Sequence, residues 1–288
     1  MFRNLISLLL LLMFYMDVQG QKVTPYVIYD GNGKKTDFQK MAIKGKQAEI
    51  VLFGEFHNNA IAHWLQHELV KALIPEKPLV LGAEMFEADQ QNVLSLFLSD
   101  SIDEKTFKDS CRLWPNYDTD YAPLVKIAKA NKFPFIATNI PRKYAGKVFK
   151  GGFESLYELS DLEKSWIAPL PVDYDPELPG YKNMLTMMGN DPAHANPNFP
   201  KAQAIKDATM AYFISSNMKP NSIFFHFNGA YHTDNDEGII WYLKRRKPDL
   251  KYVTITTVTQ KNVHKLEPEH KGRAHFIICV DEDMTNTY

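Results

Sequence analysis

Seven short apolar runs, separated by stretches with helical periodicity, constrain this chain more than any other feature. They are Tyr26–Tyr29, Glu49–Phe53, Leu79–Ala83, Phe133–Thr138, Ser222–Phe227, Tyr252–Val258 and Ala274–Val280. Most carry β-branched or aromatic residues, and turn-forming or charged residues bound them, the pattern of strands. Runs that are apolar on both faces suit parallel strands covered by helices on each side. Between them, Ile61, Trp64, Leu65, Leu69 and Ala72 form one helical stripe, and Leu124, Ile127, Ala128 and Asn131 form another. Lys201–Met218 places Ala204, Ala208, Ala211 and Ile214 on one face, with Gln203 and Asp207 beside them, facing either the sheet or the surface. Ile239, Ile240 and Leu243 mark a last helix, ending at Lys244–Lys247, where positive charge suits the dipole. Strand–helix alternation predicts an α/β fold: a mostly parallel central sheet flanked by helices. From about 143 to 200 the alternation stops. Seven prolines from Pro169 to Pro200 punctuate this stretch, and an insertion of this length, when ordered, forms a lid or subdomain.

The first twenty residues are set apart. Arg3, the apolar run Leu5–Met16, and the small residue of Val18-Gln19-Gly20 ahead of Gln21 have the grammar of a signal peptide. The run is short for a bilayer, where about 20 apolar residues are needed, so export and cleavage are expected in preference to an uncleaved anchor. Localisation is then periplasmic or secreted. No later stretch is long and apolar enough to be a membrane span. Residues 21–288 suit one large α/β domain or two small ones, and are read as a single domain with the insertion. A formal charge of −1 gives no electrostatic reason to expect nucleic acid as a partner. Cys111 and Cys279 could pair in an oxidising compartment or stay as two buried thiols.

Chemistry gathers at the ends of four strands. Glu49–Phe53 runs into Gly54-Glu55-Phe56-His57, Leu79–Ala83 into Glu84-Met85-Phe86-Glu87, Phe133–Thr138 into Asn139-Ile140-Pro141-Arg142, and Ser222–Phe227 into Asn228-Gly229-Ala230-Tyr231-His232. Open α/β sheets bind ligands outside the carboxyl ends of their strands, so parallel strands would put Glu55, His57, Glu84, Asn139, Arg142 and His232 on one rim. Glu55 and His57 are two apart, and extended backbone points both the same way. Such a pair, with His232, can hold a divalent metal or act as a general base with its orienting partner; Glu55 could also serve as a helix cap or a structural ion pair. Gly54 and Gly229 remove side chains where the backbone must turn or meet a ligand closely. His63 lies nearer the rim than His67, which reads as a solvated helix face, and His226 reads as core. No Gly-x-Ser-x-Gly elbow supports a serine hydrolase.

Gly54-Glu55-Phe56-His57 with His63 and Gln66, then Glu84-Met85-Phe86, Trp114, Tyr121-Ala122-Pro123-Leu124, Asn139-Ile140-Pro141-Arg142, Gln203 with Asp207, and Gly229-Ala230-Tyr231-His232, together resemble the ChaN family of haem-binding proteins. The resemblance spans roughly residues 50 to 243. It implies an α/β core related to the erythromycin-esterase, TraB and Tiki superfamily, and an exported haem binder in iron uptake, as a possible homodimer. It also implies iron held by a tyrosine with a histidine nearby, since tyrosinate is a hard anionic donor for ferric haem. Within the insertion, Tyr181, Met184, Leu185 and Met188 make an i, i+3, i+4, i+7 stripe suited to a flat apolar ring or to ordinary core, and His194 follows in a loop. Asn58 stands where an acidic residue often follows the motif's histidine, which weakens the metal alternative and leaves haem unaffected. A metal-dependent or metal-free hydrolase is the competing expectation: Glu55 as base or ligand, Glu84 beside it, His57 and His232 as ligands or proton carriers, and Arg142 as an anion clamp.

Overall fold

A computed structural model describes residues 23–186 and 196–288. All seven apolar runs form strands of one sheet: β1 (Tyr26–Asp30), β2 (Ile50–Glu55), β3 (Leu79–Glu87), β4 (Phe135–Asn139), β5 (Ile223–Gly229), β6 (Tyr252–Gln260) and β7 (Phe276–Asp281). Their order is β1-β7-β6-β2-β5-β3-β4. Every neighbouring pair is parallel except β1 with β7, at one edge. The mostly parallel direction expected from the runs therefore holds, and all four polar strand ends lie at the same lip.

Alternation along the strands sorts the core into two layers. On one face, Val51, Phe53, Leu81, Phe225 and Phe227 pack with residues of helices α1 (Phe38–Gln47), α2 (Ala60–Leu73), α3 (Gln91–Leu98), α4 (Glu104–Ser110) and α5 (Ala122–Asn131). On the other, Ile50, Leu52, Val80 and Phe224 meet α6 (Arg142–Gly151) and, later in the chain, α9 (Phe199–Asn217) and α10 (Ile239–Arg246). The central phenylalanines are fully buried, and each such side chain contributes about 1.5–3 kcal/mol relative to exposure.

The first helical stripe is rotated from its expected position. In α2 the buried residues are Ala62, His63, Leu65, Gln66, Leu69, Val70 and Leu73, whereas Trp64 is half exposed. Asn59 caps the helix by accepting from Ala62 N–H at 2.9 Å, and this phase turns His63 and Gln66 toward the sheet. The insertion carries no strand among its described residues; after α6 it holds two short helices, α7 (Asp161–Lys164) and α8 (Pro179–Met184), before α9. No helix of the described residues is long and apolar enough to cross a membrane. Residues 1–20, Met188 and His194 lie outside the described residues.

Candidate functional site

Two carboxylates organise the lip, and each is buried with its own partners. Glu55 ends β2, is 1% exposed, and accepts three hydrogen bonds. Tyr121 Oη donates to its Oε1 at 2.7 Å, His57 Nδ1 meets the same oxygen at 2.9 Å, and Gln66 Nε2 donates to Oε2. Tyr121 arrives on a π-helical turn, Tyr117–Tyr121, a distortion common at functional sites. Burial, reinforced by the Glu55 charge, pushes the Tyr121 phenol far above its ordinary value, so it stays a proton donor. The backbone of His57 is fixed as well: its carbonyl accepts from Asn116 Nδ2 at 2.7 Å and from His63 Nε2 at 3.0 Å. His63 is thus a buried support, with Asp120 3.4 Å from the same nitrogen.

Glu84, on β3, builds the second half. Its Oε2 accepts the Gly229 N–H at 2.8 Å, and its Oε1 accepts from His232 Nε2 at 3.1 Å. The other nitrogen of His232 donates to Asp207 Oδ1 at 2.5 Å. Asp207 is presented by α9, and its second oxygen accepts from Tyr181 Oη of α8 at 2.7 Å. The Gln203 amide lies 3.1 Å from the His232 ring. The four-residue spacing of Gln203 and Asp207 thus faces the lip and not the surface.

Charge follows from this geometry. Burial opposes protonation of His232, but Glu84 and Asp207 on its two sides outweigh it and push the imidazole up to about 10. Burial would raise Glu84, yet the His232 cation holds it well below the usual carboxylate range. For Asp207 burial wins and the carboxyl is raised. The result is a carboxylate–imidazolium–carboxylate ladder closed off from water, with one nitrogen of His232 on each carboxyl.

His57 joins the two halves. A methyl group placed on Gly229 would sit 2.9 Å from His57 Nε2 and 3.6 Å from Glu84 Oε2, so the ring lies over a backbone that only glycine leaves open. Gly54 has the same role against Ala230, whose Cα a side chain would approach to 2.8 Å. Burial disfavours the His57 cation, but the Glu55 hydrogen bond and the Glu84 and Glu55 charges raise it above its ordinary value. Its side chain is 31% exposed and is the accessible imidazole of the pair. By contrast His226 is core, bridging Thr138 and Asn228, and burial lowers it to about 4. His67 pairs with Glu68 on the solvated side of α2.

Arg142 and Asn139 sit apart from this ladder. Arg142 starts α6 and lines a cleft of about 710 Å³ together with Trp114, Pro115, Pro141 and Lys143. The cleft touches the site through Trp114, whose ring meets His57 edge-on at 4.7 Å and Tyr121 at 6.0 Å. Of the Tyr/Met stripe, Tyr181 and Met184 face inward. Tyr181 is 3% and Met184 7% exposed, packed with Ala204, Phe153, Tyr174, Leu178 and Phe199, while Leu185 alone turns outward. No group of three or more His, Cys, Asp or Glu among the described residues is arranged to hold a metal, so the metal expectation for Glu55, His57 and His232 gains no donor set. Cys111 and Cys279 are free thiols, pushed up by burial to about 11 and about 12.

Tyr121, Asn116 and Asp120 carry no chemical motif of their own, and only the run Tyr121-Ala122-Pro123-Leu124 in the family resemblance pointed near them. Tyr181 stands out in the sequence only for its place on an apolar stripe, and its hydrogen bond to Asp207 carries no sequence signal.

Fold and site together define an α/β protein with a buried carboxylate–imidazole array at the carboxyl lip of a parallel sheet. Residues 41–243 match the family described as haem-binding uptake, Tiki superfamily, ChaN, and the chain belongs to that family. Among solved structures, ChaN of Campylobacter jejuni with cofacial haem binding is 17% identical, with 88% of this chain and 96% of that one covered and a TM-score of 0.66. A Bacillus cereus protein is 10% identical over 88% and 95% of the two chains, with a TM-score of 0.51. At these identities the likeness is one of fold. No curated relative matches in sequence.

Proposed function

We propose that this protein binds haem and serves in haem or iron uptake or handling outside the cytoplasm. Membership of the haem-binding uptake family carries the reading. Haem asks for a flat apolar seat, cations for its propionates, and an open donor for iron. The Tyr181 hydroxyl does not fit that donor as the chain is folded: it is spent on Asp207, and burial with the Asp207 charge pushes it well above its ordinary value, against tyrosinate. Haemin titrated into the mature protein is expected to give a stoichiometric Soret shift that Tyr181→Phe leaves in place. Loss of the shift in that variant would assign iron to Tyr181 after all, and absence of any shift in the wild type at micromolar haemin removes the haem reading.

One observation favours a second reading, a metal-free hydrolase. Glu55 holds Nδ1 of the part-exposed His57 and fixes the ring, leaving Nε2 beside Glu84 over the Gly229 backbone for proton transfer, the arrangement a general base needs. Export rests on residues 1–20. N-terminal sequencing of protein recovered outside the cytoplasm is expected to begin at Gln21, and a start at Met1 on membrane-bound protein refutes it.

A further inference from the structure

The residues after β7 return to the acid–base array. Met284 packs against the larger core layer, and the chain then runs alongside Asn58 and Asn59, the turn that joins His57 to α2. Asn286 pairs with Asn59 as an antiparallel bridge, and the Thr287 N–H donates to the Asn58 carbonyl at 2.9 Å. The same register sets Tyr288 opposite His57. In agreement, Tyr288 lines the cleft with Trp114, whose ring meets His57 edge-on at 4.7 Å. Thr287 also reaches inward, where its hydroxyl donates to Asp120 Oδ2 at 2.7 Å. That oxygen, on a carboxylate 4% exposed, accepts from Asn116 Nδ2 at 2.6 Å and lies 3.4 Å from His63 Nε2. Asn116 and His63 are the two side chains that hold the His57 carbonyl. The segment therefore reaches His57 by two routes, one through the backbone beside it and one through Asp120.

We propose that residues 286–288 are a strap over the accessible side of the array: Thr287 is a positioning residue for His57, and Tyr288 screens its imidazole from the cleft. A buried carboxylate that loses one of its donors must find another or admit water, and either change disturbs Asn116 and His63, which share Asp120. The His57 carbonyl then loses its anchors, and the ring drifts from Glu55. The strap itself is lightly held, by the Asn286–Asn59 pairing and the two Thr287 hydrogen bonds, and Tyr288 is 60% exposed. Such a contact opens locally while the sheet stays folded. A ligand that approaches His57 through the cleft must displace Tyr288. The inference stands on the geometry of the array and does not use the haem reading.

The probe is diethyl pyrocarbonate, which acylates unprotonated imidazoles, read by peptide mass mapping on the full chain. Each rate is taken at its high-pH plateau, so that exposure and not charge is compared. His67, on the solvated side of α2, is the internal standard. Thr287→Pro has neither the N–H nor the hydroxyl and is expected to raise the His57 rate, relative to His67, roughly fivefold. Tyr288→Ala should raise it as well. Thr287→Val keeps the N–H and loses the hydroxyl, so it should move the NMR resonances of the His57 ring nitrogens. Thr287→Ser keeps both bonds and should restore the wild-type rate and spectrum. An unchanged His57 rate in Thr287→Pro and Tyr288→Ala overturns the strap, and unmoved His57 resonances in Thr287→Val overturn the positioning role. Thr287→Ser behaving like Thr287→Pro would overturn the two hydrogen bonds as the cause. The buried His63 and His226 reacting in step with His57 would mean that the whole domain has loosened, which overturns a local strap.

Discussion

Replacing His232 by glutamine tests the ladder at its centre. In the wild type the His232 imidazolium lies between the Glu84 and Asp207 carboxyls, both at most 5% exposed. His232→Gln keeps a polar side chain but leaves two buried carboxyls without a cation, and removing one partner of a buried pair costs about 3–5 kcal/mol. Titration gives a similar scale: holding Glu84 protonated at pH 7 means working about 2.5 pH units above its ordinary value, roughly 3.5 kcal/mol at about 1.4 kcal/mol per unit. The pH dependence fixes the sign. His232 is raised to about 10, so its contribution is complete below about 6.5 and is lost as pH rises through 10. Glu84 is depressed, so its contribution is complete above about 4.5 and is lost as pH falls. These two shifts are one ion pair and count once. Urea unfolding of wild type and variant should therefore differ by about 3–5 kcal/mol at pH 7, and by clearly less at pH 4, where both carboxyls of the variant are neutral. A difference below about 1 kcal/mol at pH 7, or one that is unchanged at pH 4, would refute the charged ladder.

Gly229→Ala places a methyl 2.9 Å from His57 Nε2, and relieving it by moving the ring or strand should cost about 1–3 kcal/mol. The His57 NMR resonance should shift and its pKa fall toward the ordinary value as it leaves Glu84; an unperturbed His57 signal would mean that the ring does not lie over Gly229. The haemin, export and histidine-acylation experiments above complete the set.

Much of the fold was legible because burial on both faces of a strand leaves a local mark. Runs such as Ser222–Phe227 are apolar without alternation, and only a covered parallel strand needs that. The polar residues just after Phe53, Ala83, Thr138 and Phe227 then marked one lip, since strand direction alone decides where such residues meet. Helical phase was less legible. Trp64 fits the apolar stripe and Gln66 does not, yet Gln66 is the buried one, because its amide meets Glu55, a residue on another element.

The sequence by itself determined the seven strands, the mostly parallel direction of the sheet and the set of carboxylates and imidazoles at the ends of four of its strands, because these depend on local hydrophobicity and order along the chain. Tertiary structure alone decided the pairing: His57 with Glu55, His232 between Glu84 and Asp207, Tyr181 on Asp207, and Arg142 out in the cleft. Those choices depend on which desolvated charge finds a partner within about 3 Å, a balance of burial against Coulomb attraction that spacing does not encode.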